Sequence, residues 1–179
     1  MTQNTAWRNV ELAINNLKAA NLLAADKLAS CAEEQLAPLL RPSGYFNIKT
    51  KRLKNLCRFL HEEGFAKLHT MSTGDLRRRL LNLNGIGPET ADAILLYAFE
   101  RDVFVIDAYT RRIFSRFGLV SGNETYDQLQ DRFEAALDAD AAIYNEYHAL
   151  IVQHAKSFCR VQPRCGDCIL RMECKFVNK

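Results

Sequence analysis

The stretch Leu83–Ala98, LNGIGPETADAILLYA, decides how this chain is read. Gly85 and Gly87 flank one apolar residue, Pro88 follows, then the acid Glu89, then a run with helical periodicity. Glycine lets the backbone turn tightly and come close to a ligand, because no Cβ stands in the way. Proline suits the first position of a helix, where its missing N–H costs nothing. The predicted arrangement is a helix over Gly74–Leu83, a tight turn, and a second helix over Pro88–Phe99, a helix–hairpin–helix in form. The amides around Gly85, Ile86 and Gly87, with Thr90 and the positive end of the second helix, would make a small anion site. On a nucleic acid that anion is a backbone phosphate, gripped without reading sequence. An ordinary tight turn between two helices would use the same residues.

Outward from the turn, the pattern is helical almost throughout. Trp7, Val10, Ile14 and Leu17 recur at three- and four-residue steps, as one helix face requires. Helices are expected over Ala6–Leu23, Ala25–Leu40 and Lys49–His61, with Leu53, Leu56, Cys57 and Leu60 inward and Gly64 as the stop. Ser72 or Thr73 caps the helix before the turn, with Asp75 in its first turn. After the hairpin comes DVFVI, a strand-like run with no partner run, read as a buried connector. Asp107 then opens a helix that ends at Phe117-Gly118. Two more follow, Glu124–Leu137 and Ala141–Phe158, and the tail from Cys159 is loop-like. The expected fold class is all-α, in two helical lobes: 1–118, containing the hairpin at about 74–100, and 119–179.

A chain of 179 residues with 48% apolar content makes one compact unit or two small lobes. No apolar run is long enough to span a bilayer, and the N-terminus carries no signal-peptide pattern, so a bacterial or archaeal cytoplasmic protein is expected, a monomer with no membrane partner. The net charge of +3 is mild. Its distribution is uneven: no acid lies between Gln35 and Leu60, while Arg41, Lys49, Lys51, Arg52, Lys54 and Arg58 are basic, and Arg77-Arg78-Arg79 precedes the turn. Such clusters either neutralise phosphates or form solvated helix faces.

Cys159, Cys165, Cys168 and Cys174 form C-x5-C-x2-C-x5-C within sixteen residues. Four cysteines clustered so tightly in a cytosolic chain read as metal ligands, fitting either tetrahedral zinc or an iron–sulfur cluster. Lys156, Arg160, Arg164, Arg171 and Lys175 surround this loop. Cys31 and Cys57 lie on apolar helix faces and read as buried thiols.

Several of these segments together resemble the endonuclease III superfamily of DNA glycosylases. LNGIGPETADAIL is similar to the family's L-P-G-h-G-x-x-T-A, where h is apolar. Asp107, inside VFVIDAYTRRI, resembles the segment that carries the family's catalytic aspartate at a helix start. TQNTAW resembles the early helix with its S/T-Q segment, RPSGYFNIKTKRL the G-hydrophobic-hydrophobic-N-x-K-A turn, and HALIVQHAKSFC the helix leading to the cluster. The resemblance implies a helix–hairpin–helix glycosylase acting on double-stranded DNA, with a [4Fe–4S] cluster on the four cysteines, although the first gap is five residues where the family has six. It also implies that the family's leading helix, which precedes the TQNTAW segment, is absent here.

In bifunctional members a lysine occupies the place of Glu89 and attacks the sugar as a Schiff-base nucleophile. A carboxylate cannot form that imine. The resemblance therefore implies hydrolysis of the N-glycosidic bond without strand cleavage, Asp107 stabilising the sugar's positive charge and orienting a water. Glu89 faces the pocket or is merely a first-turn acid. A flipped base needs a gap-filling wedge, for which Gln3 is the candidate, and a pocket wall, for which Trp7, Tyr45, Phe46 and Tyr109 are aromatic candidates. Trp7 also reads as core, and His148 and His154 read as satisfied helix histidines. Among substrates, 3-methyladenine-type lesions come first, mismatched uracil or thymine next, oxidised pyrimidines last. The competing readings are a bifunctional glycosylase/lyase, a non-catalytic DNA-binding module and a structural zinc protein.

Overall fold

The computed structural model describes residues 2–3, 5–138 and 140–177. Among them there is no strand, and no helix is long and apolar enough to cross a membrane. The chain divides into two compact units, Met1–Ile86 and Gly87–Lys179. That division differs from the 118/119 boundary expected from sequence. The helix after the turn buries Leu96 in the same core as Ile113, Phe133 and Ile151, so the hairpin's second helix belongs with the C-terminal half.

The first unit contains α1 (Trp7–Ala19), α2 (Ala25–Ser30), α3 (Glu33–Leu40), a short 3-10 turn (Arg41–Ser43), α4 (Phe46–Glu63), α5 (Phe65–Thr70) and α6 (Thr73–Leu81). Its core gathers Ala13 and Leu17 from α1, Leu28 and Cys31, Leu36 and Leu40 from α3, and Cys57 from α4. Cys57 is a buried thiol as expected, and burial pushes it up to about 11, which keeps it unreactive. Trp7 does not join this core: it is 55% exposed, its indole N–H donating to Glu11 Oε1 at 2.6 Å.

The single helix expected over Ala25–Leu40 is broken at Cys31, whose backbone turns extended (φ −59°, ψ 136°). No Gly or Pro marks the break. The Cys31 carbonyl instead accepts from the Lys54 ammonium, reaching in from α4. Lys49 is likewise buried, donating to Ser43 O at 2.7 Å and Thr5 Oγ1 at 2.5 Å. Two of the six basic residues between Arg41 and Arg58 are thus internal donors, stems packed and heads satisfied. Arg52 also turns to its own unit, bonding Gln3 Oε1 at 3.1 Å. The short helix α5 follows the Gly64 stop and carries no strong sequence signal, being six residues long.

The second unit contains α7 (Pro88–Phe99), α8 (Ala108–Phe117), α9 (Tyr126–Leu137) and α10 (Ala141–Ser157), then the cysteine loop with a 3-10 turn at Arg171–Glu173. The α7 limits are those read from sequence, and α8 has the predicted Asp107 and Gly118 caps. The connector before α8 is buried from Val103 to Ile106. Buried backbone polar groups must find partners, and α9 supplies them as a neighbouring strand would. Phe104 N–H donates to Glu134 Oε1 (2.8 Å), Phe104 O accepts from Gln130 Nε2 (2.8 Å), and Ile106 N–H donates to the Tyr126 hydroxyl (3.3 Å). Phe104 stacks on Phe133 with centroids 4.7 Å apart and meets Tyr144 edge-on at 5.5 Å. This packing fixes where the connector ends, and so where Asp107 begins α8.

The two glycines of the turn have different jobs. Gly85 has φ +97°, and a Cβ there would lie 2.2 Å from Arg52 Cγ. Gly87 is extended (φ −98°), with nothing within 4 Å of where a Cβ would be. Gly85→Ala should therefore destabilise the fold by about 1–2 kcal/mol. Gly87→Ala should leave stability within about 0.5 kcal/mol of the parent. Urea denaturation of both variants checks this, equal losses being the contrary result.

Candidate active site and cysteine loop

Asp107 is the N-cap of α8. Its Oδ1 accepts from the Thr110 amide at 2.7 Å and from the Thr110 hydroxyl at 2.8 Å. The carboxylate is 8% exposed, enough burial to matter and not enough to exclude a reactant. Burial pushes its pKa up, but the donors of His148 and Thr110 outweigh that and hold the carboxyl below the ordinary carboxylate range. Asp107 is therefore an ionised, fixed carboxylate with one oxygen fully committed.

The other oxygen, Oδ2, looks toward α10. His148 Nε2 stands 3.4 Å from it, and His148 Nδ1 is 2.5 Å from the Tyr97 hydroxyl of α7. His148 is thus no ordinary helix histidine, and this was not legible from its spacing. The signal lies only in space, since α7, α8 and α10 converge on one carboxylate. Glu89, in the first turn of α7, is solvent-exposed, yet partial burial raises its carboxyl, as does the Asp107 charge, with His148 opposing. The Glu89 and Asp107 charges therefore act on each other across the site. Behind it, Asp92 is fully buried and accepts from Gln130 Nε2 at 2.9 Å.

Of the other predicted site residues, Tyr109 is half-buried in this unit with the Arg112 guanidinium 5.1 Å above its ring. Gln3, Trp7 and Tyr45 belong to the first unit and are exposed there, Tyr45 at 70% as the left-handed N-cap of α4 (φ 45°). Phe46 packs against the first core beneath Arg41. In the turn, the Ile86 amide donates to Leu83 O at 3.0 Å. It is consumed in closing the turn, so the expected anion site loses that donor. The amides of Gly87 and Glu89 open α7, where a helix supplies no acceptor of its own for its first N–H groups and Pro88 brings no donor.

In the cysteine loop, Cys159, Cys165, Cys168 and Cys174 all line one small cavity, together with Arg116, His154, Arg164, Arg171 and Phe176. All four are free thiols. The Arg116 guanidinium lies 3.3 Å from Cys159 Sγ and also bonds the carbonyls of Arg160 and Val161, tying the loop to α8. His154 Nε2 is 3.7 Å from Cys168 Sγ. Among the described residues, no three His, Cys, Asp or Glu side chains stand close enough together to hold a metal ion.

Comparison with known proteins agrees with this architecture. Residues 1–138 match the model of the HhH-GPD superfamily of base excision DNA repair proteins. A chain of Methanocaldococcus jannaschii, provisionally named a DNA repair glycosylase, is 48% identical over 179 residues, covering 97% of this chain and 81% of that one. The Helicobacter pylori 3-methyladenine DNA glycosylase, solved with bound 1,N6-ethenoadenine, is similar with a TM-score of 0.75 at 33% identity, covering 87% of this chain and 80% of that one. An endonuclease III in non-covalent complex with DNA superposes with a TM-score of 0.82 over 99% of this chain and 79% of that one, a likeness of fold alone at 17% identity. The helical hairpin, the capped aspartate and these matches together show that the chain belongs to the HhH-GPD superfamily of base excision repair DNA glycosylases, in its endonuclease III-like group.

Proposed function

We propose that this glycosylase hydrolyses the N-glycosidic bond of a damaged base and leaves the strand intact, with alkylated purines as its favoured substrates. The observation that carries the reading is the state of Asp107: ionised, held through Oδ1 by Thr110, with Oδ2 turned away from that pair. The groups shown to act on that carboxylate include Thr110, His148 and Glu89. As the base departs, positive charge grows on the sugar, and a fixed carboxylate stabilises it without reorganising. The same oxygen orients the attacking water and accepts its proton. No imine forms, so the strand is not cut.

The substrate class follows from charge and from likeness. Asp107 and Glu89 repel each other, and a base bearing positive charge, as N3- or N7-alkylated purines do in the nucleoside, relieves that repulsion. The identity shared with the Helicobacter pylori enzyme favours the same lesion class. In this reading the base is drawn out of the stack. Gln3 is kept as the candidate for filling the gap, and Trp7 and Tyr45 in the first unit and Tyr109 in the second, each taken by itself, as the aromatic candidates for stacking. The α7 N-terminus from Gly87 to Thr90 meets a backbone phosphate, with Gly85 and Ile86 shaping the turn that leads into it.

The cysteine loop fits a [4Fe–4S] cluster on Cys159, Cys165, Cys168 and Cys174. One zinc at about 2.3 Å from each sulfur would demand four thiolates crowded on a single point, whereas here they are spaced around a cavity whose wall also carries three arginines. The Arg116 guanidinium, 3.3 Å from Cys159 Sγ, offsets part of the negative charge of the thiolates. A cluster held there would cross-link the loop, leaving the bond-breaking to the protein's own side chains. Protein purified without air should be brown and contain about four irons per chain, while stoichiometric zinc without iron would contradict the assignment.

The functional test uses duplex oligonucleotides bearing single lesions: alkylated purine, uracil, thymine opposite guanine, and oxidised pyrimidine. Breaks should appear on the alkylated purine and only after hot alkali. Asp107→Asn should lower single-turnover excision by at least about a hundredfold while leaving DNA binding intact. Full activity in that variant would overturn the role given to Asp107. Strand breaks without alkali would overturn the monofunctional reading.

A further inference from the structure

His148 is the one buried titratable side chain in the second unit that touches Asp107 and has no part in the mechanism above. It is 8% exposed, on α10, and both ring nitrogens face polar groups. Nδ1 is 2.5 Å from the Tyr97 hydroxyl and Nε2 is 3.4 Å from Asp107 Oδ2. We propose that His148, oriented by Tyr97, is a positioning residue that holds Asp107 Oδ2 in place for the attacking water. The inference rests on the glycosylase reading of Asp107 and deepens it.

The direction of the chain follows from what each group can donate. Burial, helped by the Asp107 charge, raises the Tyr97 phenol above its ordinary value, so the hydroxyl keeps its proton. In the proposed arrangement that phenol donates to Nδ1 and the imidazole proton lies on Nε2. That N–H points at Oδ2. At 3.4 Å it is longer than a settled hydrogen bond, and Nε2 is buried without a partner of good geometry among the described residues. A buried donor left in that state costs free energy until it is used. Such contacts commonly tighten when substrate enters. Oδ1 is already saturated by Thr110, so Oδ2 is the only oxygen whose direction remains to be set, and His148 is the group that sets it.

The charged and titratable groups that face this carboxylate are Glu89 and Tyr97 from α7 and His148 from α10, with the neutral Thr110 from α8. Among the described residues His148 is the group that approaches Oδ2 and holds the Asp107 pKa down, so its loss should raise the Asp107 midpoint. The acid limb of excision should then move to higher pH, because the working form is the carboxylate. A side chain that merely packs would leave both where they are.

The test reads Asp107 directly. Carbon-13 carboxyl titration by NMR, with the resonance assigned by its absence in Asp107→Asn, is run on the free protein and on His148→Phe and His148→Gln. The phenylalanine keeps the ring and its packing without a donor; the glutamine restores an N–H near Nε2. The expected result is an upward shift of the Asp107 midpoint in His148→Phe and a midpoint near the parent's in His148→Gln. Single-turnover excision at neutral pH should fall about tenfold in His148→Phe with DNA affinity unchanged, and recover in the glutamine variant. An Asp107 midpoint that does not move in His148→Phe overturns the proposal. Should that variant fail to fold, the parent still decides it: long-range proton–nitrogen spectra should place the His148 proton on Nε2, and an Nδ1–H tautomer overturns the proposal. An Asp107→Asn protein that excises like the parent would instead overturn the underlying glycosylase mechanism, a result distinct from both.

Discussion

On the proposed reading, this protein's chemistry depends on one constraint: a carboxylate must be kept charged while mostly out of water. Desolvation alone would push its pKa up. Asp107 escapes because it caps α8, where the Thr110 amide and hydroxyl converge on one oxygen, and because α10 presents a histidine to the other. The cap in turn depends on the connector before it. Val103 to Ile106 are buried with no strand beside them among the described residues, and three side chains of α9 bond their backbone. Remove those partners and the connector would carry unsatisfied buried backbone, and the cap would lose its fixed starting point. The site is thus positioned by packing and by α9, not by a rigid sheet.

The parts legible in the sequence are those set by local chemistry. Pro88 opening α7, Asp107 and Gly118 bounding α8, and Gly64 closing α4 are capping signals that a chain carries in itself. The buried connector was legible too, since an apolar β-branched run with no companion has only the core to go to. The cysteines declared themselves by spacing, and the structure lines one cavity with all four.

What was not legible was decided at a distance. The break between α2 and α3 is completed by Lys54, twenty-three residues away from Cys31, and no residue at the break announces it. The same lysine, with Lys49, had the appearance of a basic face and turned out to be internal structure. Trp7 has the spacing of a core residue, yet α1 buries Val10, Ala13 and Leu17 and leaves the indole outward. His148 looked ordinary because nothing near it in sequence hints that α10 passes Asp107. The boundary between units was misplaced for a related reason: a helix can be paired in sequence with one neighbour and in packing with another, and α7 buries its apolar face with α8–α10.

The proposed chemistry rests on a carboxylate and its donors, with Glu89 at the position that the family resemblance assigns to the lyase amine. The most direct measurement of that claim is borohydride trapping: the parent protein is mixed with a duplex containing an abasic site, reduced, and resolved on a denaturing gel. An enzyme that hydrolyses through Asp107 alone forms no imine, so the prediction is DNA binding with no covalent protein–DNA band. A trapped band that persists at stoichiometric enzyme would contradict the account, because it would require an amine nucleophile that this reading of the site does not contain.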